Sequence, residues 1–316
     1  VAGGFAVWLR GGSTAFALVR DPDTGAIRPV RDVDPAHLSV LTAPLPPWAG
    51  LPPGPKVMAV LNVTPDSFSD GGRHLTPEAA IAAGRAMMAE GADILDIGGE
   101  STRPRSAPTS PAEERARVLP VIAALAAEGH TISIDTRHAE TMDAALRAGA
   151  RIVNDVSALA HDPDSPAVVA AHRAPVVLMH MRGDPASMHQ HAAYDDIARD
   201  VAHELARRIA IAEAAGIVPH SIAIDPGIGF AKLPPENLAL LPRLALLLAL
   251  GRPIVVGVSR KGFIGKLSGI ADPAHRAPGS IAAGLHALLH GASILRVHDV
   301  AETVQAVRVW RGLFRQ

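Results

Sequence analysis

Apolar and polar positions follow one rhythm up to about residue 52 and another beyond it. From Lys56 onward, short apolar runs alternate with alanine-rich stretches whose apolar positions recur at helical spacing. The runs predict strands at Val57–Leu61, Ile94–Ile97, Ile132–Ile134, Arg151–Val153, Val176–Met179, Ile222–Ile224, Ile254–Val258 and Ile294–Val297. Between them the pattern predicts helices at Pro77–Ala89, Pro111–Ala127, Ala139–Ala148, Pro166–His172, Asp195–Ala215, Pro235–Leu248, Gly279–His290 and Val300–Phe314. Prolines open several of these helices, and Gly91, Gly129, Gly149, Gly216 and Gly291 follow several ends, as helix punctuation requires. Strand–helix alternation of this kind implies a parallel sheet, and the strand count suits an α/β fold closed into a TIM (β/α)8 barrel. Residues 1–52 read differently: Gly11-Gly12, Asp21-Pro22-Asp23, Pro44 to Pro47 and Pro52-Pro53 break the chain, leaving short β-type runs such as Ala15 to Val19. They read as a short N-terminal extension ending in a proline-rich linker, with no activity assignable, and residues 53–316 as the barrel.

Nearly every predicted strand hands over to a polar residue at its C-terminal edge. The series is Asn62, Asp96, Asp135, Asn154, His180, Asp225, Ser259-Arg260-Lys261, and Arg296 with His298. In a parallel barrel these converge on the one rim where such folds carry their chemistry. Any single Asp, Asn or Ser there is more often a helix cap or turn residue. That explanation does not cover Lys261, Arg296 and His298. Arg296 lies two positions before His298, so in a strand both face the same way, into the barrel mouth. An unpaired charge there is costly unless something anionic meets it. The first strand also opens into a long polar loop, Asn62 to Gly72, in which Pro65, Gly71 and Gly72 resist regular structure.

Composition narrows the classes. With 316 residues, 48% of them hydrophobic, the chain can bury one large core. A formal net charge of -1, from 30 basic and 31 acidic residues, gives no global field for nucleic acid or an anionic membrane. The absence of cysteine removes disulfides, thiolate zinc sites and cysteine nucleophiles, and suits a cytoplasmic setting. The most apolar run, Leu238 to Leu250, is broken by Pro242 and Arg243, and the start at Val1 has no basic segment leading into an apolar one. No membrane partner or signal peptide is expected.

Two carboxylates, two amides, a lysine and an Arg-x-His pair suit a small polar heterocycle read by hydrogen bonds, with a phosphate group held by cations. Competing motifs fail: Gly262-Phe263-Ile264-Gly265-Lys266 lacks P-loop spacing, Gly227-Ile228-Gly229 is too short for a dinucleotide fingerprint, and Gly-x-Ser-x-Gly is absent. His189-Gln190-His191 has no carboxylate or cysteine framework around it and reads as a helix start or loop pair.

From Val57 to the C-terminus the chain resembles the dihydropteroate synthase family, the folate-biosynthesis enzymes targeted by sulfonamides. The resemblance rests on separated motifs in order: Leu61 to Gly72, Asp96 to Pro104, Ser133 to Thr136, Ile152 to Asp155, Leu178 to Met181, Asp225 to Phe230, Ser259 to Lys261 and Ile294 to Asp299. It implies a transferase joining 6-hydroxymethyl-7,8-dihydropterin diphosphate to p-aminobenzoate, with release of pyrophosphate before the amine attacks. By the same resemblance Asp135, Asn154, Asp225 and Lys261 bind the pterin, with Asp96 beside them and Met179 and Phe230 lining the pocket. Asn62, Arg296 and His298 match the pyrophosphate site, Asn62 as an oxygen ligand of Mg2+. Phe68, Thr102, Arg103 and Pro104, on two closing loops, are expected to form the aminobenzoate site, with the carboxylate near Arg260-Lys261 and the helix start after Lys261. A homodimer through the last barrel helices is the family's assembly.

The chain departs from the family pattern at Arg105, where glycine is common, at Gly262, where some members have serine, and in the run Ile228-Gly229-Phe230-Ala231-Lys232. Two other readings share the Asp/Asn pocket. A pterin-binding methyltransferase gives no reason for the Asn62 loop or the Arg296/His298 anion site. A pterin-binding paralogue that does not condense its substrates is favoured only by Arg105.

Overall fold

The computed structural model describes residues 6–8, 15–20, 24–64, 76–100, 109–184 and 187–314. Phe68, Thr102, Arg103, Pro104 and Arg105 lie outside the described residues. Ahead of the barrel, the breaker-rich stretch forms two small antiparallel pairs, β1 (Val7–Trp8) with β2 (Ala15–Phe16) and β3 (Leu18–Arg20) with β4 (Ile27–Pro29). Helix α1 (Pro35–Thr42) follows, its start fixed by Asp34, whose carboxylate accepts the Ala36 amide at 2.8 Å. No helical periodicity had announced α1.

The expected strands appear in order as β5 (Lys56–Asn62), β6 (Ile94–Gly98), β7 (Ile132–Asp135), β8 (Ile152–Asp155), β9 (Val176–Met179), β10 (Ile222–Asp225), β11 (Val255–Val256) and β12 (Ile294–Val297). They form one eight-stranded parallel sheet in the order β10-β9-β8-β7-β6-β5-β12-β11. A parallel bridge between Ile224 and Ile254 brings its two edges together, and the Ile224 amide donates to the Pro253 carbonyl at 2.9 Å. The sheet thus closes into a barrel in sequence order.

Around it lie α2 (Pro77–Ala89), α3 (Pro111–Ala127), α4 (Ala139–Arg147), α5 (Ser165–His172), α6 (Ile197–Ala214), α7 (Pro234–Leu240), α8 (Gly262–Ser268), α9 (Ala277–Leu289) and α10 (Val300–Phe314). Local chemistry sets their starts. Ser110 and Glu113 form a reciprocal capping box on α3, and Asp196 accepts the Ala198 and Arg199 amides ahead of α6. The single helix expected over Pro235–Leu248 is instead α7 followed by a 3-10 segment, Leu241–Leu250. Pro242 has no amide to continue the α-helical ladder, so the winding tightens at that point.

Side-chain alternation then sorts the strands into two faces. Outward residues, including Ala59, Leu61, Leu95, Ile97, Ile134, Val153, Leu178, Ile224 and Leu295, pack against the helices as the main core. Inward residues Met58, Ile94, Ile152, Val177, Ala223, Val255 and Ile294 form a separate apolar cluster inside the barrel. Trp48 joins this second cluster, 5% exposed, and its indole N–H donates to the Ser221 carbonyl at 2.8 Å. The end of the stretch read as linker is therefore a floor plug. Ala49 and Gly50, both with positive φ, turn the chain so that the Leu51 amide returns to the Trp48 carbonyl.

Trp48→Ala should cost about 3 to 5 kcal/mol of unfolding free energy, the usual price of emptying a buried tryptophan site. Chemical denaturation of the purified variant measures this; an unchanged midpoint would show that the plug is not part of the core.

Candidate active site

Two residues beyond each floor residue, the same strand presents its next inward side chain. Met58 is followed by Val60 and Asn62, Ile94 by Asp96 and Gly98, Ser133 by Asp135, and Ile152 by Asn154. Val177 is followed by Met179, Ala223 by Asp225, and Ile294 by Arg296 and His298. Period-two alternation alone lifts this polar rank above the apolar floor. Strand register then sets neighbours: Asn62 pairs with Gly98, Gly98 with Asp135, and Asp135 with Asn154.

Arg296 reaches across the barrel into this rank. Its Nε donates to Asp96 Oδ2 at 2.6 Å and its Nη2 to Asp135 Oδ2 at 2.5 Å, while Asn154 Nδ2 donates to the same Asp96 oxygen at 2.9 Å. The anion that a buried charge at Arg296 requires is supplied within the chain by these two carboxylates. Burial works against its charge, but Asp96 and Asp135 outweigh it and raise Arg296 above its ordinary range. Burial pushes Asp135 up to about 7 against the pull of Arg296, with Asp96 and Glu114 adding to the rise. Asp96 is fully buried, and its Oδ1 has no hydrogen-bond partner among the described residues. It is an acceptor aimed into the barrel with nothing yet to accept.

The opposite wall comes from the turns after β10 and β11. Asp225, 6% exposed, accepts the Gly227 amide at 2.7 Å, and burial raises its pKa while Gly227, Lys261 and Arg296 pull it back. Gly227 has φ 67, and a Cβ there would fall 2.0 Å from the His180 carbonyl oxygen, so only glycine lets this turn press against the strand. Lys261 Nζ sits 4.3 Å from the centre of the Phe230 ring, and burial draws its pKa down to about 8. Arg260, just before it, has φ 59; its amide donates to Ser280 Oγ, its carbonyl accepts Arg276 Nη1, and its guanidinium pairs with Asp299 at 2.5 Å. The strained residue is braced on all sides and turns Lys261 inward.

His298 faces Ser259, with Nδ1 3.1 Å from Oγ. Burial, followed by the nearby charges of Arg296 and Arg260, pushes His298 down to about 3, so the ring is neutral in the free chain. Asn62 is half-buried at the end of β5 and its side chain makes no hydrogen bond among the described residues. No cluster of three His, Cys, Asp or Glu able to hold a metal occurs among the described residues. A cation here would have Asn62 as its available hard oxygen donor and would depend on ligand oxygens for the rest.

Sequence reasoning missed the residues that brace Asp135. Glu114 on α3, fully buried, accepts Thr136 Oγ1 at 2.9 Å and lies 3.1 Å from His138 Nδ1 through the same oxygen. Glu100 takes Arg137 in a two-pronged pair at 2.9 and 3.0 Å. The three residues after Asp135 are thus each tied to a glutamate. Glu114 sits in the first turn of α3 next to the capping Glu113, where acidic residues are ordinary, so no sequence signal set it apart.

Residues 58–298 match the family described as Pterin binding enzyme. The chain is similar to the dihydropteroate synthase of Mycobacterium leprae, with 48% identity over 260 residues, 80% of this chain and 92% of that protein. Among solved structures it resembles a Xanthomonas albilineans dihydropteroate synthase with 4-aminobenzoic acid (TM-score 0.79, 48% identity, 83% of this chain and 94% of that one). It is similarly close to that organism's enzyme in complex with 7,8-dihydropteroate (TM-score 0.76, 47% identity, 83% and 95% covered). The described residues 6–8, 15–20 and 24–57 precede the family match.

Removing Arg296 leaves Asp96 and Asp135 facing each other without a cation. Asp135, at about 7 in the folded chain against about 3.9 unfolded, binds its proton more tightly when folded. Its contribution to stability is present below the unfolded value and is lost as pH rises through the folded one. Arg296 opposes that loss, so Arg296→Ala should destabilise by about 3 kcal/mol at pH 8 and clearly less at pH 5. Denaturation curves at the two pH values measure the difference; a deficit independent of pH would contradict the shared pairing.

Proposed function

The chain belongs to the family of pterin-binding enzymes that includes the dihydropteroate synthases, and from that premise we propose the reaction its barrel rim performs. It joins 6-hydroxymethyl-7,8-dihydropterin diphosphate to p-aminobenzoate, giving 7,8-dihydropteroate and pyrophosphate. The observation that carries this reading is the inward polar rank, with buried acceptors at Asp96 Oδ1 and at Asp225, whose charge the Lys261 ammonium feels. An aminopyrimidinone edge offers N–H donors and a carbonyl acceptor, the complement of that set. Asn154 adds an amide, while Met179 and Phe230 offer apolar walls to the ring faces.

The pterin edge lies on Asp225 and Asn154, and Lys261 donates to the ring carbonyl. The diphosphate then points to the mouth, toward Arg296, His298 and Asn62. In the first step the bond between the pterin methylene carbon and its diphosphate oxygen breaks, and the electron pair leaves with pyrophosphate. Arg296 and the neutral His298 ring stabilise that departing charge by hydrogen bonds. The methylene left behind is cationic, and Asp135, the nearby carboxylate shared with Arg296, stabilises it as the guanidinium turns toward the phosphates. The aminobenzoate nitrogen attacks the methylene, forms the new C–N bond and releases a proton to solvent. No side chain needs to act as a nucleophile.

Magnesium, when bound, would supply positive charge to the phosphate oxygens, and the Asn62 amide oxygen, without a hydrogen bond among the described residues, is the protein donor that fits it. The aminobenzoate carboxylate is assigned to the start of α8, beside Arg260 and Lys261, where free amides favour an anion. Phe68, Thr102, Arg103 and Pro104 complete that subsite in this reading. Gly262 there is open, with nothing within 4 Å of an added Cβ, so packing does not demand glycine. We place the chain in the cytoplasm, a setting that fits its lack of cysteine; no helix among the described residues is long and apolar enough to cross a membrane. A homodimer through α9 and α10 would cover Leu289, Val309 and Leu313, which are 37%, 60% and 71% exposed.

Purified chain incubated with the dihydropterin diphosphate, p-aminobenzoate and Mg2+ should yield equal amounts of pyrophosphate and dihydropteroate by chromatography. Tight pterin binding with neither product would support the paralogue that does not condense.

A further inference from the structure

Behind the pocket a buried chain of titratable groups runs outward from the turn after β10, and none of the chemistry above uses it. Lys232 Nζ lies 3.0 Å from the Phe230 carbonyl and 2.8 Å from His180 Nδ1; His180 Nε2 lies 2.9 Å from Glu204 Oε2 on α6. Glu204 in turn accepts Arg182 Nε at 3.0 Å. Lys232 is 2% exposed and His180 3%, while the Glu204 side chain reaches solvent at 29%. An ammonium only donates and a carboxylate only accepts, so the two ends fix the ring between them: Nδ1 accepts and Nε2–H donates. Burial, reinforced by Lys232 and Arg182, lowers His180 to about 4 and keeps that ring neutral.

The turn itself is held at almost every polar group. Asn237 Oδ1 accepts the Gly229 amide at 2.7 Å, and its Nδ2 donates to the Lys232 and Leu233 carbonyls at 3.1 and 2.9 Å. The chain's one tyrosine, Tyr194, donates to the Ala231 carbonyl at 2.9 Å. Lys232 supplies the remaining bond, to Phe230. Burying a lysine for one short backbone bond and a longer one, 3.5 Å to the His180 carbonyl, is expensive unless its charge has a use. The charges facing it are Asp225 on β10 and Glu204 on α6, which favour the ammonium, and Arg182 after β9 and Lys261 after β11, which oppose it.

Resting on the function proposed above, we propose that Lys232 is a positioning residue for the pterin pocket, its ammonium holding the Phe230 carbonyl from behind and setting a positive charge behind Asp225, under the control of Glu204 through His180. Burial lowers Lys232 to about 7, so the ammonium discharges as pH rises across neutrality. Pterin affinity then carries a step that Lys261, which discharges near 8, does not account for, and that Lys232→Met abolishes, whereas a step arising from Asp135, also near 7, would survive that substitution.

The test titrates bare 6-hydroxymethyl-7,8-dihydropterin against the full chain from pH 6 to 9. Wild type should lose about fivefold in affinity through the step near 7, the effect of turning one charge-assisted hydrogen bond into a neutral one. Lys232→Met should bind roughly tenfold more weakly at pH 6 and show no such step, raising KM for the pterin substrate with kcat little changed. Glu204→Gln keeps an acceptor at a partly exposed position and removes only the charge, so it tests the idea even where Lys232→Met fails to fold. It should move the step down by about half a pH unit. Pterin binding by wild type without the step, or a step that Glu204→Gln leaves in place, would overturn the relay. Wild type that binds no pterin at any pH would overturn the proposed function itself.

Discussion

One guanidinium shared between two carboxylates holds the polar rank of this barrel together. Arg296 on β12 donates to Asp96 on β6 and Asp135 on β7, and Asn154 on β8 joins through Asp96. Four strands, 200 residues apart at the extremes, are thus tied at one level of the barrel. Neither charge is tolerable alone in a largely buried site, so each requires the other. The pairing also keeps the site balanced between uses. A guanidinium held by two acids is a cation stored beside the place where a diphosphate would need it.

What lies beneath and around this pairing serves to hold it level. The inward floor from Met58 to Ile294, stopped by Trp48, is apolar and leaves the polar rank only one direction in which to meet a ligand. Behind Asp135, the Glu114 and Glu100 contacts fasten Thr136, Arg137 and His138. Behind Asp225, the Gly227 turn is fastened by Asn237, Tyr194 and Lys232. The groups assigned to the pterin therefore sit at the ends of rigid strands, with their following turns tied down by residues that never reach the pocket. Such bracing is what preorganised binding requires.

The strands and their polar ends were legible because each is local: an apolar run stopped by a polar residue states both the strand and its rim position. The common inward face of Arg296 and His298 followed from a spacing of two. Trp48 was not legible, since a lone tryptophan among prolines carries no period and its partners lie on strands far along the chain. The break of the predicted Pro235–Leu248 helix could have been read from Pro242, but the apolar pattern ran straight through it. Arg296 was read as needing an anion, but which carboxylates meet it was not legible, because they come from distant strands. Lys232 and His180 were visible as letters of their motifs, yet their contact depends on three segments converging, which no single stretch records. Phe68, Thr102, Arg103 and Pro104 fall outside the described residues, so the part proposed for them rests on resemblance.

The central claim is that the inward rank, rather than buried acids in general, reads the pterin. Asp225 and Asp155 separate the two ideas: both are buried at strand ends, but Asp155 faces away from the barrel axis and accepts from Ser157 and Leu159 of its own turn. The deciding measurement is the affinity of bare dihydropterin for Asp225→Asn and Asp155→Asn, each checked for an intact fold. The inward substitution should weaken binding by roughly tenfold to a hundredfold, as expected for losing a hydrogen bond to a charged acceptor, and the outward one should leave it unchanged. Equal losses, or a loss confined to Asp155→Asn, would contradict the account.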